Sequence, residues 1–432
     1  MNHAPDTERV DAPETPAGTG GVSRRGLFGL VAAGVGAGAV AGAAGTLALA
    51  PTSAPSADRY PFYGPHQAGI TTPAQDRLHC AAFDLTETAT RDDLVGLLQD
   101  WSAAAARLTQ GQDVSEAGAV GGPALLPPDD TGEALGLPAS GLTLTFGFGP
   151  TLFSTAEGTD RFGLADRRPA DLAELPSFAF DLLDDSSSGG DLVIQACADD
   201  PQVAVHAIRN LTRIAFGTAR IRWTQLGFGR TSSTSTAQST PRNLFGYKDG
   251  TANIKSEESA ALDEFVWVGG HEPQTWMHGG TYLVTRRILM TIENWDRVAL
   301  ATQDDIVGRT KGEGAPLSGG TEFSAPDFSM RRTDGMPAIP DNSHLRLAHP
   351  DQVGTRILRR GYNFVDGNNE LGQLRAGLFF MSYQASPVQF VAVQRSLASD
   401  AMNEYIRHVG SAVFAVPPGA RQGAFVGAGL FD

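Results

Sequence analysis

Apolar and polar positions alternate along this chain in two passages of similar grammar. In the first, Cys80-Ala81-Ala82-Phe83-Asp84-Leu85 is an apolar run of strand length and predicts a buried strand. A helix is expected next: Thr90 can cap it with Asp93 three residues on, and Leu94, Leu97, Leu98, Trp101, Ala105 and Leu108 fall on one face. A Gly/Pro-rich loop over about 111–141 follows. Leu142, Leu144, Phe146 and Phe148 then alternate with smaller residues as a half-buried strand, and Leu192 to Cys197 predicts another. Asp200-Pro201 opens a helix with core positions Val203, Ala207, Ile208, Leu211 and Ile214, and Ile221 to Phe228 supplies a fourth strand. The order β-α-β-β-α-β is the ferredoxin-like unit, an antiparallel sheet with its first and third strands adjacent and both helices on one face.

A Ser/Thr-rich stretch from Thr231 to Thr240 reads as a linker, and the grammar then returns. Thr281 to Ile292 predicts a strand, Asn294 caps a helix, strands are expected near Ile357 and Leu378, and Ser386-Pro387 opens a helix through Leu397. The chain therefore predicts an α+β fold of two ferredoxin-like halves, 58–240 and 241–432, each an antiparallel β-sheet with helices packed on it. Residues 1–57 stand apart as a signal peptide and flexible N-terminus. There Arg24-Arg25 directly precedes a weakly hydrophobic Gly/Ala run from Leu27 to about Ala50. That run is long enough to span a bilayer, but the arginine pair and the small residues between Ala48 and Ala57 favour a twin-arginine export signal. Export by the twin-arginine translocase places the protein in the periplasm, the cell envelope or the extracellular space, and that route carries proteins already folded, often with a cofactor.

Composition narrows the chemistry. A net charge of −15 and the absence of a long basic run argue against a nucleic-acid partner. Two cysteines, Cys80 and Cys197, give no disulfide framework, no zinc-binding Cys-x-x-Cys and no covalent haem attachment. They would lie on neighbouring strands, where a disulfide is open to an exported protein but plain small hydrophobes are commoner.

Candidate chemistry gathers at Phe245-Gly246-Tyr247-Lys248-Asp249-Gly250-Thr251-Ala252-Asn253-Ile254, which sets one carboxylate between glycines that let the main chain approach a flat ligand. Further on come His344-Leu345-Arg346-Leu347-Ala348 and Leu358-Arg359-Arg360-Gly361-Tyr362. With Tyr63 to Ile70, Arg161-Phe162-Gly163-Leu164, Gly308-Arg309-Thr310-Lys311 and Gly377-Leu378-Phe379-Phe380, these motifs make nearly the whole chain beyond its leader resemble the dye-decolourising peroxidases, especially the exported bacterial deferrochelatase/peroxidase branch.

The resemblance implies two halves of the dimeric α+β barrel type and one non-covalent haem b per chain. His344 would be the axial ligand of the iron, with His349 the nearest rival, and Asp249 and Arg359 the catalytic pair on the open face. Gly250, Thr251, Ala252, His344, His349 and Arg359 are the expected haem contacts, with Phe379 and Phe380 near its apolar surface. Of the two adjacent arginines the resemblance selects the first, and strand alternation agrees with that choice. It implies reduction of hydrogen peroxide through a ferryl intermediate and one-electron oxidation of a dye or phenol, with oxidation of bulky dyes running through a tryptophan or tyrosine. The alternative it carries is iron acquisition, in which iron is released from haem with the porphyrin intact, beside an iron-uptake permease. It leaves the oligomeric state open. One departure is notable: His349-Pro350-Asp351 stands where relatives often read Asn and then Arg, so an arginine that could meet a haem propionate is missing there.

Overall fold

The computed structural model describes residues 59–432; the twin-arginine motif and its apolar run lie outside them. Nine strands follow in order: β1 (Arg77–Leu85), β2 (Thr143–Phe148), β3 (Leu192–Ala198), β4 (Ala219–Arg230), β5 (Thr281–Met290), β6 (Leu358–Arg359), β7 (Tyr362–Asn368), β8 (Leu374–Gln384) and β9 (Ile406–Val416). They join in the order β5-β9-β2-β3-β1-β4-β7-β8-β6, and an additional β5–β8 pairing closes the ring into a barrel. The N-terminal set is ordered β2-β3-β1-β4 and the C-terminal set β9-β5-β8-β7, the ferredoxin-like arrangement in both. The seams between the sets are short: Phe148 pairs with Ala415 on one side, and Phe228 and Arg230 with Asn363 and Tyr362 on the other.

The first expected helix forms over Arg91–Leu108, and Thr90 and Asp93 make the reciprocal capping box that their spacing predicts. The second, Pro201–Ile214, starts on the Asp200 cap, and the third, Pro387–Ser396, on the Ser386 cap. Burial of β2 differs from expectation, since all six residues are buried rather than alternate ones. Leu144, Phe146 and Phe148 belong to the core that includes Trp101, whereas Thr145 turns the other way, its hydroxyl donating to Ala68 O at 2.7 Å and accepting from Gln195 Nε2 at 3.2 Å. Closing the barrel covers the sheet face that an open sheet would leave in water.

Cys80 and Cys197 do lie on neighbouring strands, but Leu78 faces Cys197 and Cys80 faces Gln195, so the cysteines are diagonal. Diagonal neighbours sit roughly 7–8 Å apart, beyond ordinary disulfide reach. Both thiols are free, and burial raises the pKa of each.

Three further expectations are corrected. Asn294 does not cap a helix; it lies within the turn Ile292–Trp295, anchored by buried Trp295 stacked on Phe245 at 4.3 Å, and the helix comes later at Leu300–Val307. The Ser/Thr stretch is no exposed linker, because Thr231 to Ser235 are buried. Finally, β9 has no counterpart in the sequence reading: Gly410 breaks its apolar pattern at a bulge opposite Arg287, where a side chain would meet the Ser187 carbonyl oxygen at 2.5 Å. Among the described residues no helix is long and apolar enough to cross a membrane.

Candidate active site

The motif loop is held by its own glycines and asparagines. Gly250 has φ +79°, and a Cβ there would come within 2.9 Å of the Ser232 Cα, so close packing against the buried Ser/Thr stretch and the backbone angle both require glycine. Asp249 then projects from the loop with both oxygens engaged. Its Oδ1 lies 2.9 Å from Arg359 Nη1, and its Oδ2 accepts a hydrogen bond from Asn243 Nδ2 at 3.1 Å. The side chain is 14% exposed.

Arg359 is aimed by the same loop. Asn253 acts as a surrogate strand partner, its Nδ2 donating to Arg359 O at 2.8 Å and its Oδ1 accepting from Arg359 N at 2.7 Å. Alternation on β6 sends the next side chain the opposite way. Arg360 is fully buried and donates to Thr72 O at 2.5 Å and to Gln75 Oε1. Of the two arginines Arg359 alone faces Asp249, as the sequence reading expects.

His344 begins the short helix His344–Leu347, and its Nδ1 lies 2.6 Å from Asp400 Oδ2. With a carboxylate as acceptor, Nδ1 carries the proton of the neutral ring and Nε2 keeps its lone pair. Burial pulls the imidazole pKa down, but the charge and hydrogen bond of Asp400, helped by Asp249, outweigh it, and the net shift is upward. About a third of the side chain, 34%, remains open, on the cavity that it lines.

Asp249, Gly250, Thr251, Ala252, His344, His349 and Arg359 all line one cavity, so every predicted site residue is brought together. The space, its open mouth included, is about 1690 Å³, with apolar wall from Ile288, Leu378, Phe380 and Phe390. Of the two expected phenylalanines only Phe380 belongs to it; Phe379 points into the barrel against Trp223. His349 caps the turn Pro350–Val353 and packs edge-on to Phe328, and burial lowers its pKa.

Other arginines in the cavity wall are spoken for, with one exception. Arg286 pairs with Asp181 and Arg356 with Glu258. Arg309 donates Nη1 to the Gly314 and Glu322 carbonyl oxygens and, among the described residues, has no carboxylate within ion-pair distance. Burial lowers its pKa, opposed by the charge of Glu322. Among the described residues no group of three or more His, Cys, Asp or Glu side chains could hold a bare metal ion.

Sequence reading did not find Asn243 or Asp400, and it named Arg309 only within the Gly308 to Lys311 motif. Asn243 and Asn253 flank the carboxylate within the motif region and could have been suspected as its supports, whereas Asp400 reaches His344 only through the return of the chain after Pro387–Ser396.

Chemically, the cavity offers one imidazole lone pair, one carboxylate that can exchange a proton and one permanent cation beside it. Comparison with known proteins bears on this arrangement. Residues 67–229 match the family model described as Dyp-type peroxidase, N-terminal, and residues 240–421 match Dyp-type peroxidase, C-terminal. The chain is 37% identical over 462 residues to the dye-decolorizing peroxidase of Thermobifida fusca (strain YX), covering 99% of each. It is 36% identical over 371 residues to the deferrochelatase of Escherichia coli (strain K12), covering 84% of this chain and 85% of the relative. Among solved structures it is similar to an oxyferrous/water mixed complex of DtpA from Streptomyces lividans, with a TM-score of 0.79 and 41% identity, covering 87% of this chain and 98% of that one.

Proposed function

The chain belongs to the Dyp-type peroxidase family, whose members are haem proteins, and from that premise we propose that it is an exported haem b peroxidase that reduces hydrogen peroxide and oxidises a dye or phenol. The observation that carries this reading is that the Asp249–Arg359 pair and the Asp400-backed His344 share one cavity.

The residues present fit haem. His344 would hold the iron through Nε2, the apolar wall would suit the porphyrin face, and Arg309, without a carboxylate partner among the described residues, would suit a propionate in place of the missing arginine after His349. When bound without a covalent link, haem supplies the iron at which peroxide is reduced. Asp249 would take a proton from one oxygen of peroxide and return it to the other, which would leave as water. Asn243 keeps the carboxylate turned for both transfers, and Arg359 stabilises the negative charge that develops as the oxygens separate. The direct test is an absorption spectrum of the haem-loaded protein before and after stoichiometric peroxide. An unchanged Soret band would sink the peroxidase reading.

His344→Ala is expected to lose stoichiometric haem binding, and His349→Ala to keep it; exchange of those two results would overturn the axial assignment. Haem uptake by the apo-protein should fall with acidification, because ligation needs the neutral imidazole. Since the His344 pKa is raised above its ordinary 6.5, the fall begins above that pH. Asp400→Asn removes the largest raising influence and leaves burial, so its fall begins at lower pH, which a spectrophotometric haem titration across pH reads out. Arg309→Leu should weaken retention by roughly 10- to 100-fold, the loss of one charge-assisted hydrogen bond. Haem transfer to apomyoglobin measures it, and a parental transfer rate would remove Arg309 from the site.

Export through the twin-arginine translocase rests on Arg24-Arg25 and the apolar run after it. Arg24→Lys with Arg25→Lys should keep the haem-loaded protein in the cytoplasm, and unimpaired export of that double variant would refute the route. Relatives named deferrochelatase support a second reading, removal of iron from haem for delivery beside an iron permease. Metal-free porphyrin accumulating from bound haem without peroxide would favour it over the peroxidase.

A further inference from the structure

Three histidines line the cavity, and peroxide reduction as derived above gives no task to the third. His344 is tied to Asp400, and His349 accepts from Asp351 N at 3.3 Å. His408, on β9, makes no hydrogen bond through either ring nitrogen among the described residues, although it is only 4% exposed. A buried polar group left without a partner is costly, so an unpaired imidazole in a cavity wall points to something that binds it there.

The strands give His408 its surroundings. It stands opposite Ile288 on β5, and Ile406 stands opposite Met290, so one imidazole is set in a patch of three apolar side chains that all line the cavity. In the sheet order β9-β5-β8-β6 it is three strands from Arg359, roughly 14 Å across the sheet. Behind it lies Asp181, paired with buried Arg286, and the Asp181 Oδ1 is 3.9 Å from His408 Nδ1. The carboxylate favours the ring proton on Nδ1, which is buried on that side, and leaves the Nε2 lone pair for the cavity. Burial, with the charge of Arg286 added, lowers the His408 pKa to about 4 against the pull of Asp181, so the ring is neutral and can accept a proton.

Resting on the peroxidase reading, we propose that His408 is the catalytic base of a separate subsite for a small phenol, whose ring lies on Ile288, Met290 and Ile406 and whose hydroxyl donates to His408 Nε2. Peroxide and phenol then occupy different ends of one cavity, and the Asp249–Arg359 pair serves the first alone. A smaller opening, lined by Phe178 and Arg395, shares Gln394, Leu397 and Asn403 with the cavity wall and gives the phenol its own approach.

The step balances. The phenol gives one electron to the peroxide-oxidised haem and its hydroxyl proton to His408, and it leaves as a neutral phenoxyl radical. Loss of the electron makes the hydroxyl strongly acidic, so a weakly basic imidazole suffices to take the proton. Two phenols supply the two electrons that one peroxide consumes, and the two protons passed on by His408 leave in water: two phenols and one hydrogen peroxide give two phenoxyl radicals and two waters. Asp181 is a positioning residue here, holding the ring tautomer, and Arg286 holds Asp181.

The test uses haem-loaded parent, His408→Leu and His408→Gln, with guaiacol as the phenol and ferrocyanide as a reductant that gives an electron without a proton. Guaiacol binding to the resting protein, read from the Soret difference spectrum, should weaken roughly tenfold in His408→Leu and stay near parental in His408→Gln, whose amide oxygen still accepts a hydrogen bond. Turnover should separate the roles: kcat for guaiacol falls at least about tenfold in both variants, because neither takes a proton, while ferrocyanide turnover and the Soret response to peroxide stay parental. Haem transfer to apomyoglobin should also stay parental. Parental guaiacol binding and kcat in both variants would overturn the subsite, and faster haem transfer from both would overturn it by assigning His408 to a haem propionate. A parent that shows no Soret response to peroxide would instead refute the peroxidase reading beneath it.

Discussion

Asp249→Asn is expected to slow the reaction of the haem-loaded protein with peroxide by roughly 10²- to 10⁴-fold, the range general acid–base catalysis contributes. The substitution is nearly isosteric. An amide oxygen can still accept from Arg359 Nη1 or from Asn243 Nδ2, the two donors that hold the carboxylate, so the loop should keep its shape and the haem its place. What the amide cannot do is take a proton from peroxide and give it back. Stopped-flow rates across pH should therefore lose the limb that the carboxylate carries. A variant that reacts at the parental rate would confine Asp249 to shaping the pocket.

Arg359→Leu is the second large effect, a fall of roughly 10²- to 10³-fold, the usual consequence of removing one donor aimed at developing charge. Its signature differs from the first. Charge stabilisation is lost while the proton carrier remains, so the rate falls and a pH limb persists. Arg359→Lys should recover little, because the ammonium has neither the length nor the fork of the guanidinium that reaches Asp249 at 2.9 Å. Should Arg359→Leu lose the limb as Asp249→Asn does, the two residues act as one titrating unit. Arg360→Leu is a useful contrast, since that side chain points into the barrel onto Gln75 and Thr72 and should cost stability instead of rate.

Much of the fold was legible where local chemistry and burial agree. The capping box at Thr90 and Asp93, the Asp200-Pro201 and Ser386-Pro387 helix starts and the apolar runs of β1 and β3 are signals within a few residues, and each forms as read. Reading failed where a distant segment sets the pattern. β9 carries Gly410 because the Ser187 backbone crosses it, β2 is buried on both faces because the barrel closes, and Thr231 to Ser235 are buried because the motif loop packs on them.

The site divides in the same way. Sequence by itself supplied the candidates: a carboxylate between glycines, and a histidine opening His344–Leu347 and the first of two adjacent arginines, both picked out by the family resemblance, with strand parity agreeing on the arginine. Those properties belong to residue types and to short-range geometry. Tertiary structure alone decided the partners. Asp400 reaches Nδ1 of His344 across 56 positions, Asn253 pins the Arg359 backbone across 106, and Arg309 stands in the cavity wall without a carboxylate among the described residues. Hydrogen bonds and ion pairs act over a few ångströms in space whatever the separation along the chain, so no local pattern records them.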